Sequence, residues 1–184
     1  EGPQTLEARD HELPGDATGA LFILAAAAVR PKSEVEILHA GSDWRTRRLI
    51  DLLRRLDLTI QIDKTRTSTG FSSRSLKVKS GDLRRIKIAD EYAELFLNEV
   101  PTFAVIGACA IGETVIRDVA SLREGETDLV ALTVEGLRRM GVRVGEMPDG
   151  LVIQGVNALQ GATVDAGGDA RVGIAFTIAG MAAE

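Results

Sequence analysis

The chain is 184 residues long, enough for one domain to bury a core without disulfide or metal staples. It is 45% hydrophobic and 27% charged, with five Phe, one Trp and one Tyr, so the core has to be built from Val, Ile, Leu and Ala. A net charge of −5 argues against a nucleic-acid surface, and local basic runs such as Arg45, Arg47, Arg48 or Arg84, Arg85, Lys87 read as solvated faces.

Residues 1–14 are polar and punctuated by proline, the pattern of a strand remnant and loop. Leu13-Pro14-Gly15-Asp16-Ala17-Thr18 then offers turn chemistry followed by an N-cap. Gly19 to Val29 is Ala-rich and apolar almost all round, which predicts a buried helix; its Leu21–Val29 run falls far short of the ~18 residues of a membrane span. Arg30-Pro31-Lys32 stops it. Ser33 to His39 alternates, with Val35, Ile37 and His39 on one face, and predicts a strand, with His39 read as structural. Arg45 to Leu56 is an amphipathic helix whose apolar stripe is Leu49, Ile50, Leu52, Leu53 and Leu56. A strand over 58–62, a polar loop over 64–73 and strands over 75–79 and 85–89 complete this stretch.

The second stretch follows the same order. Asn98 to Leu129 reads as an apolar helix (101–110), a short strand (113–118) and a polar loop entering a second helix (126–140). A polar helix start is a place where an anion can be met. Cys109, the single cysteine, lies in the apolar run; it has no partner for an intrachain disulfide and reads as a small buried hydrophobe. Strands are expected over 143–146, 151–154 and 162–165. An apolar helix from Gly168 then ends the chain. With two histidines and one cysteine, no metal-ligand set and no cofactor is expected. A cytoplasmic setting fits this cysteine usage.

Three helices can be laid over one another: GDATGALFILAAAAV from Gly15, NEVPTFAVIGACAIG from Asn98 and GDARVGIAFTIAGMAA from Gly168. The second helices match as well, LIDLLRRLDLTIQI beside VEGLRRMGVRVGEM. The chain is therefore read as one incomplete domain made of repeats over 1–97 and 98–167, with the start of a third over 168–184.

The motifs LPGDATGALFILAAAAV, EVPTFAVIGACAIGETVIRD, SLREGETD, MPDGLVIQG and GGDARVGIAFTIAGMAA resemble, in order and spacing, the C-terminal half of 5-enolpyruvylshikimate-3-phosphate synthase. The likeness covers essentially the whole chain. UDP-N-acetylglucosamine enolpyruvyl transferase shares that fold, and its motifs match less well. The resemblance implies an α+β fold of repeated βαβαββ units, packed as one domain of the inside-out α/β barrel of enolpyruvyl transferases. Two such domains face one another across a cleft that binds shikimate 3-phosphate and phosphoenolpyruvate, so a missing N-terminal domain is an expected partner. The family reaction protonates the enol carbon of phosphoenolpyruvate, adds the shikimate 5-hydroxyl and expels phosphate. It needs carboxylates for proton transfer and cations for the two anions, arginine serving best because its fork binds them bidentately.

Carried over position by position, the family's hydroxyl-orienting aspartate falls on Asn98 and its loop glutamate on Glu126, the two catalytic candidates. A substrate contact falls on Ser121, and the arginine of the Asp-His-Arg motif on Arg171. The family lysine has become Gly125, the loop's last arginine Leu129 and the histidine Ala170, while Asp128 and Asp169 remain. The same residues also have plainer roles, with Asp16 and Asp169 as N-caps and Glu126 and Asp128 as acids favouring a helix start. Two functions follow: carboxyvinyl transfer to shikimate 3-phosphate, or a catalytically degenerate domain kept for structure, oligomerisation or ligand sensing.

Overall fold

The computed structural model describes residues 2, 8, 10–63, 65–68 and 71–184. Apolar helices bury most readily, and three of them pack together: α1 (Ala17–Val29), α4 (Val100–Ala108), which is wholly buried, and α6 (Ala170–Ala182), which leaves one face with Ile174 and Met181 exposed. α1 packs on a four-stranded antiparallel sheet formed by β1 (Glu34–Gly41), β2 (Thr59–Ile62), β3 (Arg66–Ser68) and β4 (Phe71–Lys79). The strand order is β1-β4-β2, with β3 paired to the start of β4. α4 packs on a second sheet, ordered β5-β6-β8-β7, made of β5 (Lys87–Ile88), β6 (Glu113–Ile116), β7 (Arg143–Met147) and β8 (Gly150–Gln154). Only the β5–β6 pair of that sheet is parallel. α6 lies against both α1 and α4.

The three apolar helices run in the same direction. Thr18 at the start of α1 reaches Glu99 just before α4, and Arg171 at the start of α6 reaches Asn98. At the opposite end, Arg30 after α1 donates to the carbonyl of Met181 in α6 at 3.3 Å. The ends of all three helices line one cavity of about 600 Å³, beside Gly81–Leu83 and Gln154–Leu159. The amphipathic helices α2 (Trp44–Arg55) and α5 (Leu129–Arg139) complete the packing, each with its basic residues in the last turn, where they favour the helix C-terminus.

Several elements depart from the sequence expectation. The helix expected from residue 126 begins at Leu129, because Asp128 takes the cap position and accepts the Ala131 N–H at 2.8 Å. Residues 162–165 form no strand: Val164 is their one partly buried hydrophobic, and no neighbouring strand offers a ladder. The polar stretch 64–73 holds the β3–β4 hairpin, with Arg66 opposite Ser73 and Thr67 opposite Ser72; positions 64, 69 and 70 lie outside the described residues. The strand expected over 85–89 shrinks to two residues. A short helix α3 (Glu91–Leu95) and 3-10 turns over 97–99 and 120–123 had no sequence forecast. Of the strand remnant expected in residues 1–14, positions 1, 3–7 and 9 lie outside the described residues, and 10–14 carry no regular structure. Gly15 then adds to β1, its N–H donating to the His39 carbonyl at 2.8 Å.

Two glycines permit close backbone approaches at the ends of β8, Gly155 to the residues closing α4 and Gly150 to β6. A Cβ on Gly155 would stand 1.7 Å from the Ala110 carbonyl oxygen, and one on Gly150 would stand 2.0 Å from that of Ile116. No helix among the described residues is long and apolar enough to cross a membrane.

Candidate functional site at the helix starts

The end of the molecule where α1, α4 and α6 begin collects its polar side chains. Each start leaves backbone N–H groups without intrahelical partners, and short acids supply them. Asp16 accepts from the Gly19 N–H at 2.8 Å. Asp43, before α2, accepts from the Thr46 N–H at 3.0 Å and its hydroxyl at 2.9 Å. Burial pushes the Asp43 carboxyl up, and these bonds outweigh it, leaving the group below its ordinary value. α4 has no side-chain cap; it opens on Pro101 in its first turn, preceded by the 3-10 turn that carries Asn98 and Glu99.

Asp169 caps α6 and does a second job. It accepts the Arg171 N–H at 2.8 Å and grips the same residue's guanidinium, with Nε at 3.0 Å and Nη2 at 2.6 Å. This grip holds the Asp169 carboxyl below its ordinary value and raises Arg171 in turn. The remaining arm is free to reach across: Arg171 Nη1 donates to Asn98 Oδ1 at 2.8 Å, joining residues 73 apart in the chain. Asn98 is exposed and Arg171 partly so. Two of the four sequence candidates therefore meet, as an oriented guanidinium beside a carboxamide on an accessible surface. Such a pair can bind an anion through the guanidinium and a hydroxyl through the amide.

Ser121 and Glu126 occupy the neighbouring loop, both exposed, and no hydrogen bond among the described residues ties either to Asn98 or Arg171. Ser121 lies in the 3-10 turn over 120–123. Glu126 precedes the Asp128 cap by two residues, so it is a loop residue rather than part of a helix start. Thr127 borders the Gly167–Asp169 turn, since a Cβ on Gly167 would stand 3.2 Å from the Thr127 methyl. Arg123 anchors the loop: Nη1 pairs with Asp128 and Glu146, both at 2.8 Å, and Nη2 donates to the Met147 carbonyl at 2.6 Å. Where the family motif has arginine, Leu129 is 3% exposed and belongs to the core. Gly125 and Ala170 face solvent.

Sequence reasoning missed Glu99. Its side chain is 1% exposed, accepts Arg45 Nη2 at 2.8 Å and is also hydrogen bonded by the Thr18 hydroxyl. An acid next to a Val-Pro helix opening was the available signal; its partners in α1 and α2 were not visible before folding. Among the described residues, no group of three or more His, Cys, Asp or Glu could hold a metal ion. Burial raises the Cys109 thiol to about 11, which keeps it protonated and unreactive near neutrality.

The sequence pattern of EPSP synthase (3-phosphoshikimate 1-carboxyvinyltransferase) matches residues 1–184. The chain is 36% identical over 183 residues to the 3-phosphoshikimate 1-carboxyvinyltransferase of Desulfitobacterium hafniense (strain DSM 10664 / DCB-2), all of this chain against 42% of that protein. It is 37% identical over 183 residues to that of Synechococcus sp. (strain JA-3-3Ab), covering 41% of it. The chain thus spans about two-fifths of the length of these relatives. Among solved structures it shares the fold of EPSP synthase from Acinetobacter baumannii, with a TM-score of 0.85 at 24% identity, covering 94% of this chain and 40% of that one. The enolpyruvyl transferase NikO from Streptomyces tendae follows with a TM-score of 0.67 at 18% identity, covering 93% and 37%. An α+β chain matched along its whole length, with the fold of enolpyruvyl transferases, belongs to the EPSP synthase family.

Proposed function

We propose that this chain supplies one face of an enolpyruvyl transfer site acting on shikimate 3-phosphate and phosphoenolpyruvate, with a second domain closing the other face. The observation that carries this reading is the Arg171–Asn98 contact at 2.8 Å, with the guanidinium oriented by Asp169. In this reading Arg171 binds a carboxylate or phosphate of phosphoenolpyruvate and Asn98 hydrogen-bonds a shikimate hydroxyl. Ser121 adds a further substrate contact, and Glu126 moves the proton at the enol carbon. An exposed carboxylate in a loop suits that last role only once the second domain covers it and excludes water.

A second reading, a catalytically degenerate domain, draws on Leu129 and Asn98. Where the family motif places a cation, the chain has a buried leucine. A charge-assisted hydrogen bond lost at an anion site costs about 1.5–3 kcal/mol. An amide also cannot serve as a base. With the lysine replaced by Gly125 as well, a rate deficit of roughly 10⁴-fold is expected, at about 1.4 kcal/mol per tenfold.

One assay decides between them. The chain is combined with the N-terminal part of the Desulfitobacterium hafniense relative, given both substrates, and phosphate release is followed. Turnover within about tenfold of that relative would sink the degenerate reading. Substrate binding without turnover, rescued by Asn98→Asp, Gly125→Lys and Leu129→Arg together, would establish an intact scaffold with edited chemistry. Failure to bind either substrate would remove the transferase reading.

A further inference from the structure

Glu99 is an expensive way to fill the junction of α1, α2 and α4. Its carboxylate is 1% exposed, yet only Oε1 is bonded, by Arg45 and Thr18. Oε2, the Nε of Arg45 and the hydroxyl of Thr102 are all buried without a hydrogen-bond partner. A buried carboxylate with one oxygen unsatisfied, paired to a partly exposed arginine, usually contributes less to stability than a well-packed apolar side chain of the same volume. The neighbourhood could have been apolar: Phe96 and Phe103 pack edge to face there, and the Arg45 guanidinium stacks over the Phe96 ring at 5.5 Å. Stability therefore does not account for the charge.

Position does. Glu99 and Asn98 belong to the same three-residue 3-10 turn, so fixing the Glu99 side chain fixes the backbone from which Asn98 projects. Arg45 holds that turn to the start of α2 and Thr18 holds it to the start of α1. On the exposed side, Asn98 meets Arg171 at the start of α6. One turn thus ties four helix starts together, buried on one side and open on the other.

We infer that Glu99 is a positioning residue: through Arg45 and Thr18 it sets where Asn98 stands relative to Arg171, and so the geometry with which Arg171 meets an anion. The inference rests on the proposed anion-binding role of Arg171, and its test separates the two. Phosphoenolpyruvate is titrated calorimetrically into the chain combined with the N-terminal part of the Desulfitobacterium hafniense relative, unaltered and as Arg171→Ala, Glu99→Gln, Thr18→Val and the double variant Glu99→Gln/Arg45→Gln. In parallel, the Arg171 Nε–Hε resonance is recorded by NMR without ligand.

Arg171→Ala is expected to lose binding. Glu99→Gln is expected to weaken it roughly tenfold, which corresponds to about 1.4 kcal/mol. The near-isosteric Thr18→Val should weaken it a few-fold. The double variant, which replaces the charged pair by two amides able to bond each other, should recover part of the loss. The Arg171 resonance should move in both Glu99→Gln and Thr18→Val, although neither residue touches Arg171. Binding lost in Arg171→Ala but unchanged in Glu99→Gln and Thr18→Val would overturn the positioning role and leave the anion site standing. If the unaltered chain does not bind phosphoenolpyruvate, the anion reading fails and the resonance decides alone: a shift upholds positioning, and no shift overturns it. Should Glu99→Gln not fold, Thr18→Val carries both measurements.

Discussion

At the scale of single residues, the site is a matter of which charges have partners. Asp169 has both a helix start and a guanidinium to accept from, so its folded pKa lies below the unfolded value. A carboxyl shifted that way contributes stability above its unfolded pKa and loses it as pH falls through the folded one. The carboxyl-carbon resonance of Asp169 should therefore titrate with a midpoint below its ordinary 3.8. Asp169→Asn should be less stable than the wild type at neutral pH, and the gap measured by urea unfolding should close as pH falls through the folded pKa of Asp169, because the proton-linked contribution is then lost from the wild type as well. Leu129 and Gly125 make a second contrast. Both stand where the family motif has a cation, and only one has room for it. Arginine at Leu129 would bury a charge or leave a hole in the core, at a cost of roughly 2 kcal/mol, whereas Gly125→Lys should stay within about 0.5 kcal/mol. Urea unfolding of the two variants checks this; equal stability would show that the buried leucine is no obstacle.

At the scale of elements, the join between α5 and α6 depends on a missing side chain. A Cβ on Gly136 would stand 2.3 Å from the tip of the Phe176 ring, so Gly136→Ala should destabilise by about 1–3 kcal/mol through overpacking. Gly180, in α6 with nothing within 4 Å of its Cβ position, should respond in the opposite sense, Gly180→Ala gaining roughly 0.5–1 kcal/mol of helix propensity. Thermal unfolding of the pair separates packing from propensity. The same contrast explains what could be read beforehand. α1, α4 and α6 were legible because an apolar run of helix length has one reasonable fate. The strand expected over 162–165 was not a strand because alternation around one apolar residue predicts exposure of a face, not a neighbour to pair with. α5 was started too early because acids at 126 and 128 both favour a helix start, and only backbone geometry makes Asp128 the cap and leaves Glu126 in the loop. α3 is too short for periodicity to announce it. Within the site, Asn98 and Arg171 were found through motif resemblance; Glu99 was not, since its importance lies in three partners from other elements.

At the scale of the whole molecule, the arrangement of the three apolar helices has an electrical consequence. Running side by side in one direction, their peptide dipoles add instead of cancelling, and each helix start carries roughly half an elementary positive charge. The surface around Asn98 and Arg171 thus gains a positive contribution from the backbone, offset in part by the capping carboxylates of Asp16 and Asp169, in a chain whose net charge is −5. This charge sits in the backbone, where protons neither add to it nor leave it, and Arg171 does not titrate near neutrality either. Affinity for phosphoenolpyruvate should accordingly stay flat with pH above the ligand's own last ionisation and fall with added salt. Calorimetry across pH at constant ionic strength checks the first part, and a salt series the second; a marked pH dependence would place a titrating side chain in the contact. Changes to surface side chains other than Arg171 and Asp169 can thus edit the chemistry at this end of the molecule while the backbone's share of its attraction for anions stays in place.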